Sequence, residues 1–563
     1  ISDFSRLNAE DYYFVDRTDY IARLEALGEP YLIYLRPRRF GKSLFISLLQ
    51  HYYGVEFRDQ FAELFGTYHI GKNPTPLANS YLVLRFEFSR IDTSSEEGTF
   101  NGFLSNVRSG VSSFLGRYQS FFPDLNKEEI LGASAPNEML IRLFEAYELT
   151  QAPPVYLLID EYDHFANELV SFNLGLFRNI VSKNGFVRKF YEAIKAATGE
   201  GIVDRLFVTG VTPLTMDSLT SGFNIGSNLS RNPAFQEMMG FREGEVAQLL
   251  AHMEIEDPGI PGIVDMLRHW YNGYCFSDES CENRVYNPDM VLYYTKEYLS
   301  RGHSPKEMLD TNIASDYGKI RKLFSVGGQE NERIAVLEKL LEAGEISASM
   351  TAEFSFEKAF DTNDFLSLLY YMGMLTIKGP DLAEVRLGIP NAVIQQLYFR
   401  YFAQLVREHT EKTAQPIEIQ AVVREMARHN NPRPLIEIVS DALQQLSNRD
   451  WLQFDEKHVK MVLISYLYSS QLYFIKSEFE SGQKYIDVLL LRRDPFPAPH
   501  QFAFEIKYLK QKDAHQLPQT ISTGREQLLG YLQKEELRSL SDLKAWLMVF
   551  VGGEIAHLEE VAA

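Results

Sequence analysis

A chain of 563 residues, 45% hydrophobic and 23% charged, has the apolar mass for about three or four separately cored domains, and no run of eighteen apolar residues that would read as a membrane span. Its formal net charge of -20 excludes a general nucleic-acid coat, so any contact with a phosphate backbone must come from a local basic groove or through metal ions. Two cysteines, Cys275 and Cys281, exclude a disulfide scaffold and a four-cysteine zinc site. With no leader-like segment before the first motif, the expected setting is a reducing cytoplasm without membrane contact.

The first thirty residues combine an aromatic cluster (Tyr12, Tyr13, Phe14) with Asp16, Arg17 and Thr18, then a short helix carrying Tyr20, Ile21, Leu24 and Leu27. This is either a packed N-terminal arm or a cover for the base and ribose of a nucleotide. Tyr31 to Gly54 then reads strand, loop, helix: an aromatic and β-branched run to Leu35, RPRRFGKS, and helical spacing of Leu44, Ile46, Leu48, Leu49 and Tyr52. A phosphate loop needs inward N–H groups at a helix N-terminus, a glycine beside the phosphates, a lysine for the β- and γ-phosphates and a hydroxyl for Mg²⁺, and Gly41, Lys42 and Ser43 supply the last three. The usual first glycine is replaced by Arg36. Arg36, Arg38 and Arg39 add positive charge for a polyphosphate, Pro37 stiffens the turn, and Phe40 completes the loop.

Leu82–Phe88 is a second strand, followed by an amphipathic helix from about Phe100 to Phe122. Val155–Ile159 is an unbroken apolar run ending in Asp160 and Glu161, as a strand buried on both faces of a parallel sheet would be. Asp160 is placed on the Mg²⁺ shell and Glu161 beside the attacking water, with Asp163 a further acid at the mouth. Arg205–Thr212 is a third strand; Thr209 or Thr212 at its carboxyl end either senses the γ-phosphate or caps a loop. HWYNGYCFS and VYNPDM mark tight turns with aromatic core beside them. From Thr311 to about Lys378 the pattern is helical, and LLYYMGMLTI followed by VRLGIP has the order of a winged-helix lid.

Residues 451 to 534 change character. A helix carries Glu456, a strand is followed by Glu478 and Glu480, and YIDVLLLRR and FAFEIKYLK are strands before a helix with Gln527 and Tyr531. Asp487 lies near the start of one strand, and Glu505 and Lys507, two apart on the next, face the same way. Two carboxylates on one face invite a divalent cation, and the lysine can orient water and stabilise a crowded phosphate, which makes an in-line phosphodiesterase site. A surface ion pair is the bland alternative.

Together, YFVDRTDYI, LRPRRFGKS, LLIDEYD, WYNGY, YIDVLLL and FEIKYLK resemble bacterial proteins with an N-terminal AAA-ATPase-like domain and a C-terminal PD-(D/E)XK nuclease-like domain. The resemblance implies an α/β chain: a P-loop NTPase domain with a parallel sheet over 1–235, a helical and winged-helix region over 236–410, and a helical linker with the nuclease-like domain over 411–563. It implies that Arg36 is part of the family's own loop pattern. Lys42 and Ser43 would bind phosphate and Mg²⁺, Asp160 and Glu161 would form the Walker B pair, and Asp487, Glu505 and Lys507 the nuclease triad, Glu456 and Glu480 being extra acids. The expected ligands are ATP or ADP and Mg²⁺, with a nucleic-acid substrate and a homo-oligomer left open. The expected function is an ATP-binding switch coupled to a metal-dependent nuclease in defence or DNA processing. The alternative is a nucleotide-dependent binding or signalling module with an inactive nuclease-like fold.

Overall fold

The computed structural model describes residues 2–562 except 124, 173, 182–184, 215–224, 256–258, 280–281, 311–323, 325–329, 353, 355–359, 409, 411–413, 448–454 and 481–484. The chain divides into two compact units, Ile1–Val291 with Lys319–Ala335 and Glu345–Asn391, and Leu292–Gly318 with Val336–Gly344 and Ala392–Ala563. Among the described residues no helix is long and apolar enough to cross a membrane.

The first unit is built on a parallel sheet of β1 (Tyr31–Leu35), β2 (Leu82–Glu87), β3 (Val155–Asp160), β4 (Val203–Gly210) and β5 (Ser227–Asn228), in the order β2-β3-β4-β1-β5. Every residue of β3 is buried, which is why it reads as a continuous apolar run instead of an alternating one. The helix Glu96–Arg117 starts where the Ser95 side chain accepts from the Gly98 N–H, and it buries Phe103, Val107, Val111 and Phe114. The strand expected to reach Thr212 ends at Gly210, which leaves Val211 and Thr212 to turn inward.

The same unit holds a small antiparallel sheet, β6 (Glu345–Ala348), β7 (Thr376–Asp381) and β8 (Glu384–Gly388), in the order β6-β8-β7, beside the helix Thr362–Tyr371. The Asp361 side chain caps that helix by accepting from the Asp364 N–H. Cys275 is buried, and Cys281 lies outside the described residues.

The second unit carries a mixed sheet of β9 (Tyr473–Glu480), β10 (Tyr485–Arg492), β11 (Gln501–Leu509), β12 (Leu543–Val551) and β13 (Glu554–Glu560), in the order β13-β12-β11-β10-β9. All pairings are antiparallel except β11 with β12, whose parallel crossover contains the helix Leu517–Leu532. That helix buries Leu528 and Tyr531 in a core with Leu489, Ala503, Leu547 and Val549. These strand residues share one sheet face, and the polar cluster described below stands on the same face.

Candidate functional site

The first centre sits at the carboxyl ends of β1, β3 and β4, where ligands of open α/β sheets gather. Gly41 caps the helix Lys42–Tyr53 in the left-handed region, at φ 96°, a conformation that a side chain at this position would oppose. Lys42 is buried, and its Nζ donates to the carbonyls of Arg36 and Pro37, both at 3.0 Å. Burial pulls its pKa down, against the charges of Glu161 and Asp160. Asp160, at the end of β3, is fully buried, and neither carboxylate oxygen has a hydrogen-bond partner. Arg85 approaches only to 3.9 Å, and the Ser43 hydroxyl favours the charged form without closing a hydrogen bond. Burial raises the Asp160 carboxyl to about 6. A buried carboxylate with two orphaned oxygens beside a loop hydroxyl fits a divalent cation, so Ser43 and Asp160 are the residues that would hold Mg²⁺ here.

Glu161 follows with φ 50°, a left-handed conformation that is uncommon for a non-glycine residue and turns it out of the strand line toward His164, whose Nδ1 lies 3.3 Å from its carboxylate. Burial raises its pKa, opposed first by Lys42. Thr209 is buried in β4 with its hydroxyl oxygen unpartnered, whereas Thr212 donates to Asp163 and Asn167 at 2.8 and 2.7 Å. Asp163 is not an acid at the mouth: it is buried and accepts from the N–H groups of Val211 and Thr212 at 3.0 and 2.6 Å. It anchors the turn after β4.

The three loop arginines, alike in the sequence, do three different things. Arg36 is 1% exposed. Its guanidinium lies over the rings of Tyr34 and Phe276, 4.1 and 4.2 Å from their centroids, and donates to the carbonyls of Leu35, Ser230, Phe235 and Gln236. Arg39, with φ 67°, pairs with Asp289 at 2.7 Å, and the Phe40 ring packs edge-on against Tyr274 and Phe276. The charge of Arg38 acts on both Lys42 and Glu161. The side chains of Arg36, Arg39 and Phe40 are therefore structural, and their contribution to a phosphate would be through backbone N–H groups. Pro37 is buried under Gly373, whose position would place a Cβ 2.8 Å from the proline ring. The Asn-Gly and Asn-Pro turns thus build the back of the loop: Asn287 donates to the Arg38 carbonyl, and Tyr274 and Phe276 hold Phe40. Sequence reasoning placed those aromatics in a generic core; the arginine at the first-glycine position was the available signal that something must cage it.

The second centre stands on β10 and β11. Val488 pairs with Phe504, so one step further along the ladder Asp487 faces Glu505. An Asp487 carboxylate oxygen accepts from the Ile506 N–H at 2.8 Å. Lys507 Nζ lies 2.8 Å from Glu505 and 4.0 Å from Glu456, at the start of the helix Glu456–Ser470. Glu505 is 2% exposed with Oε2 unpartnered. Burial, then the charge of Asp487, raises its carboxyl to about 7, against the pull of Lys507. Glu456 is raised for the same reasons, burial first. Gln527 on the helix Leu517–Leu532 also has a buried side-chain oxygen without a partner, and Tyr531 feels the charges of Glu505 and Lys507. The structure thus brings Asp487, Glu505, Lys507 and Glu456 together; the side chain of Glu480 lies outside the described residues. Among the described residues no three His, Cys, Asp or Glu side chains form a ready metal cage. The orphaned Glu505 oxygen beside Asp487 nevertheless fits a cation, and those two residues would hold it.

Residues 1–220 match the family model of a predicted AAA-ATPase, and residues 454–560 match the PD-(D/E)XK nuclease superfamily. The chain joins an AAA-ATPase-like domain to a PD-(D/E)XK nuclease domain. Over 406 residues the two-domain chain is 26% identical to an uncharacterized protein in the vnfD 5′ region of Azotobacter chroococcum mcd 1, covering 70% of this chain and 69% of that one. A Walker-type ATPase of Pyrococcus abyssi superposes with a TM-score of 0.36 at 12% identity, covering 68% of this chain and 96% of that one, a likeness too weak to bear on the fold or the chemistry. The AAA-ATPase-like match contains Lys42, Asp160 and Thr209, and the PD-(D/E)XK match contains Glu456, Asp487, Glu505 and Lys507.

Proposed function

We propose that this protein is an ATP-binding switch, hydrolysing ATP, that governs a Mg²⁺-dependent nuclease. The observation that carries the reading is shared by both domains: each buries a carboxylate next to other acids with an oxygen that no protein donor satisfies, Asp160 in one and Glu505 in the other. Such groups are stabilised by a divalent cation, and a metal with a phosphate is the common requirement of nucleotide hydrolysis and of phosphodiester cleavage.

In the AAA-ATPase-like domain, Lys42 and the loop N–H groups would hold the β- and γ-phosphates, Ser43 and Asp160 the Mg²⁺, Glu161 the attacking water, and Thr209 the γ-phosphate. The helix Thr362–Tyr371 with β6, β7 and β8 has the make-up of a winged-helix lid, and Gly373 resting on Pro37 supports its response to the nucleotide. In the PD-(D/E)XK domain, Asp487 and Glu505 would hold the metal and Lys507 would orient water. The domain boundaries of this reading are 1–235, 236–410 and 411–563, the setting is cytoplasmic, and the role is in defence or DNA processing.

The test is incubation of the purified chain with single- and double-stranded DNA and with RNA, with Mg²⁺ or Mn²⁺, with and without ATP. Cleavage should require metal, change with ATP, and disappear in Asp487→Ala and Lys507→Ala; cleavage that persists unchanged in both refutes the assignment. The second reading is a nucleotide-dependent binding or signalling module with an inactive nuclease-like fold. That reading predicts ATP binding lost in Lys42→Ala with no cleavage by any form.

A further inference from the structure

The carboxyl end of β2 brings two further charged groups beside Asp160. Glu87 is in register with Asp160 and Arg85 with Leu158, so in this parallel pair both side chains stand on the face that carries Asp160. One guanidinium nitrogen of Arg85, Nη2, lies 3.9 Å from Asp160 Oδ2 and 3.9 Å from Glu87 Oε2, within ion-pair reach of both and too far from either for a hydrogen bond. The other terminal nitrogen, Nη1, reaches Gln50 Oε1 at 3.4 Å, but turning that amide over gives its oxygen to Arg117 at 2.9 and 3.2 Å instead. The shorter pair of bonds is the better arrangement. Among the described residues it leaves Arg85 held by the two carboxylates alone.

Those two carboxylates have opposite surroundings. Asp160 is fully buried with both oxygens unpartnered, whereas Glu87 is half exposed and accepts from the Ser89 hydroxyl at 2.7 Å. Lys42, whose charge also acts on Asp160, gives its protons to the carbonyls of Arg36 and Pro37. A buried carboxylate is unfavourable without a countercharge, and Arg85 supplies part of one. The same guanidinium repels a divalent cation held by Ser43 and Asp160. Leaning toward Glu87 relieves that repulsion, and it does so at the solvated end of the cluster.

We propose that Arg85 is the counter-ion of Asp160 until a nucleotide brings a divalent cation, and that it then passes to Glu87, so that this site takes the cation only together with a nucleotide. Arg85 and Glu87 are positioning residues in this scheme, which rests on the reading of Ser43 and Asp160 as the metal-holding pair. A bare cation must displace Arg85 for the sake of few protein oxygens. A cation that arrives on a triphosphate keeps phosphate oxygens in its shell, and the phosphate charge offsets the repulsion from Arg85.

The test is equilibrium dialysis of Mn²⁺ at pH 8 against the full chain carrying Asp487→Asn and Glu505→Gln, so that the other centre does not take the ion, with and without adenylyl imidodiphosphate. That chain should bind Mn²⁺ weakly alone and tightly with the nucleotide analogue. Arg85→Met added to it should bind Mn²⁺ alone about tenfold more tightly, the effect of removing one like charge at this distance, whereas Arg85→Lys, which keeps the charge, should not. Glu87→Gln should weaken analogue-dependent Mn²⁺ binding about tenfold, since Arg85 then has only Asp160 to face. Unchanged or weaker binding of Mn²⁺ alone by Arg85→Met that retains its circular dichroism spectrum overturns the proposal. Unchanged analogue-dependent binding by Glu87→Gln also overturns it, and decides the question if Arg85→Met fails to fold. If Asp160→Asn leaves analogue-dependent binding intact, the metal-holding pair itself is wrong and this inference falls with it.

Discussion

Replacing Arg36 by glycine would make the loop look like an ordinary phosphate loop, and the structure predicts that it would be among the most damaging changes in the first unit. The guanidinium donates to four carbonyls, at 2.9 Å (Leu35), 2.7 Å (Ser230), 3.1 Å (Phe235) and 3.4 Å (Gln236), and lies over two aromatic rings. Hydrogen bonds from a charged donor contribute about 1.5–3 kcal/mol each, and a desolvated cation over a ring about 2 kcal/mol. Most of that sum is offset by the burial of a guanidinium with no carboxylate, the same burial that lowers its pKa. Removing the partner of such a buried arrangement costs about 3–5 kcal/mol, because the carbonyls stay buried. The Phe235 carbonyl keeps other donors, the Tyr34 hydroxyl at 2.7 Å and the Met238 N–H at 3.2 Å. Arg36→Lys should recover little, since an ammonium reproduces neither the fork nor the stacking. The assay is urea unfolding of the full chain, following the transition that ATP shifts upward, together with titration of a fluorescent ATP analogue. A wild-type midpoint in Arg36→Gly, or tighter nucleotide binding by it, would refute the cage.

Glu505→Gln tests the second centre through its pH dependence. In chelator the wild-type carboxyl stays protonated in the fold up to about pH 7, whereas unfolded it ionises near 4.5. The stability that Glu505 contributes is therefore fully present below pH 4.5 and is lost as pH rises through 7. At 1.36 kcal/mol per pH unit the loss is about 3 kcal/mol, to be restored at pH 8 by Mn²⁺ or Mg²⁺. The glutamine form should show neither the slope nor the metal rescue, and identical melting profiles of the two forms from pH 5 to 8 would count against a buried metal-seeking carboxyl. Gly373→Ala should lower stability by about 1–3 kcal/mol and weaken ATP binding, because φ is 78° and the new Cβ meets Pro37. Gly344→Ala, at φ 71° with open space around it, carries the backbone strain alone, so equal nucleotide binding by the two variants would show that Gly373 does not support the loop. Asp160→Asn and Asp163→Ala, three residues apart, should act in opposite ways. The first should abolish Mg²⁺-dependent ATP binding with little loss of stability at pH 8. The second should destabilise by about 3 kcal/mol, since it strands the N–H groups of Val211 and Thr212, as denaturation midpoints will show.

Strand patterns and motif spacing carried the architecture because burial on both faces leaves a continuous apolar run, as in Val155–Ile159, and because a period of two fixes which side chains meet, as Glu505 and Lys507 do. What sequence could not reveal was which charged groups were already engaged. Arg36, Arg38 and Arg39 share a residue type and a loop, yet one is caged by carbonyls contributed some two hundred residues later, one is paired with Asp289, and the charge of the third acts on Glu161. Asp160 and Asp163 are distinguished likewise by partners from β4 and the turn after it, contacts distant in sequence that leave no local pattern. The distinction has a chemical consequence. A charged side chain that folding has already satisfied is held in place, whereas one that folding leaves buried and unsatisfied keeps a free energy that only a ligand can relieve. By that criterion Asp160 and Glu505 want a cation. Carboxylate-to-amide changes at these positions should therefore lose ligand while preserving or raising the stability of the ligand-free protein, the reverse of what Arg36→Gly and Asp163→Ala should do.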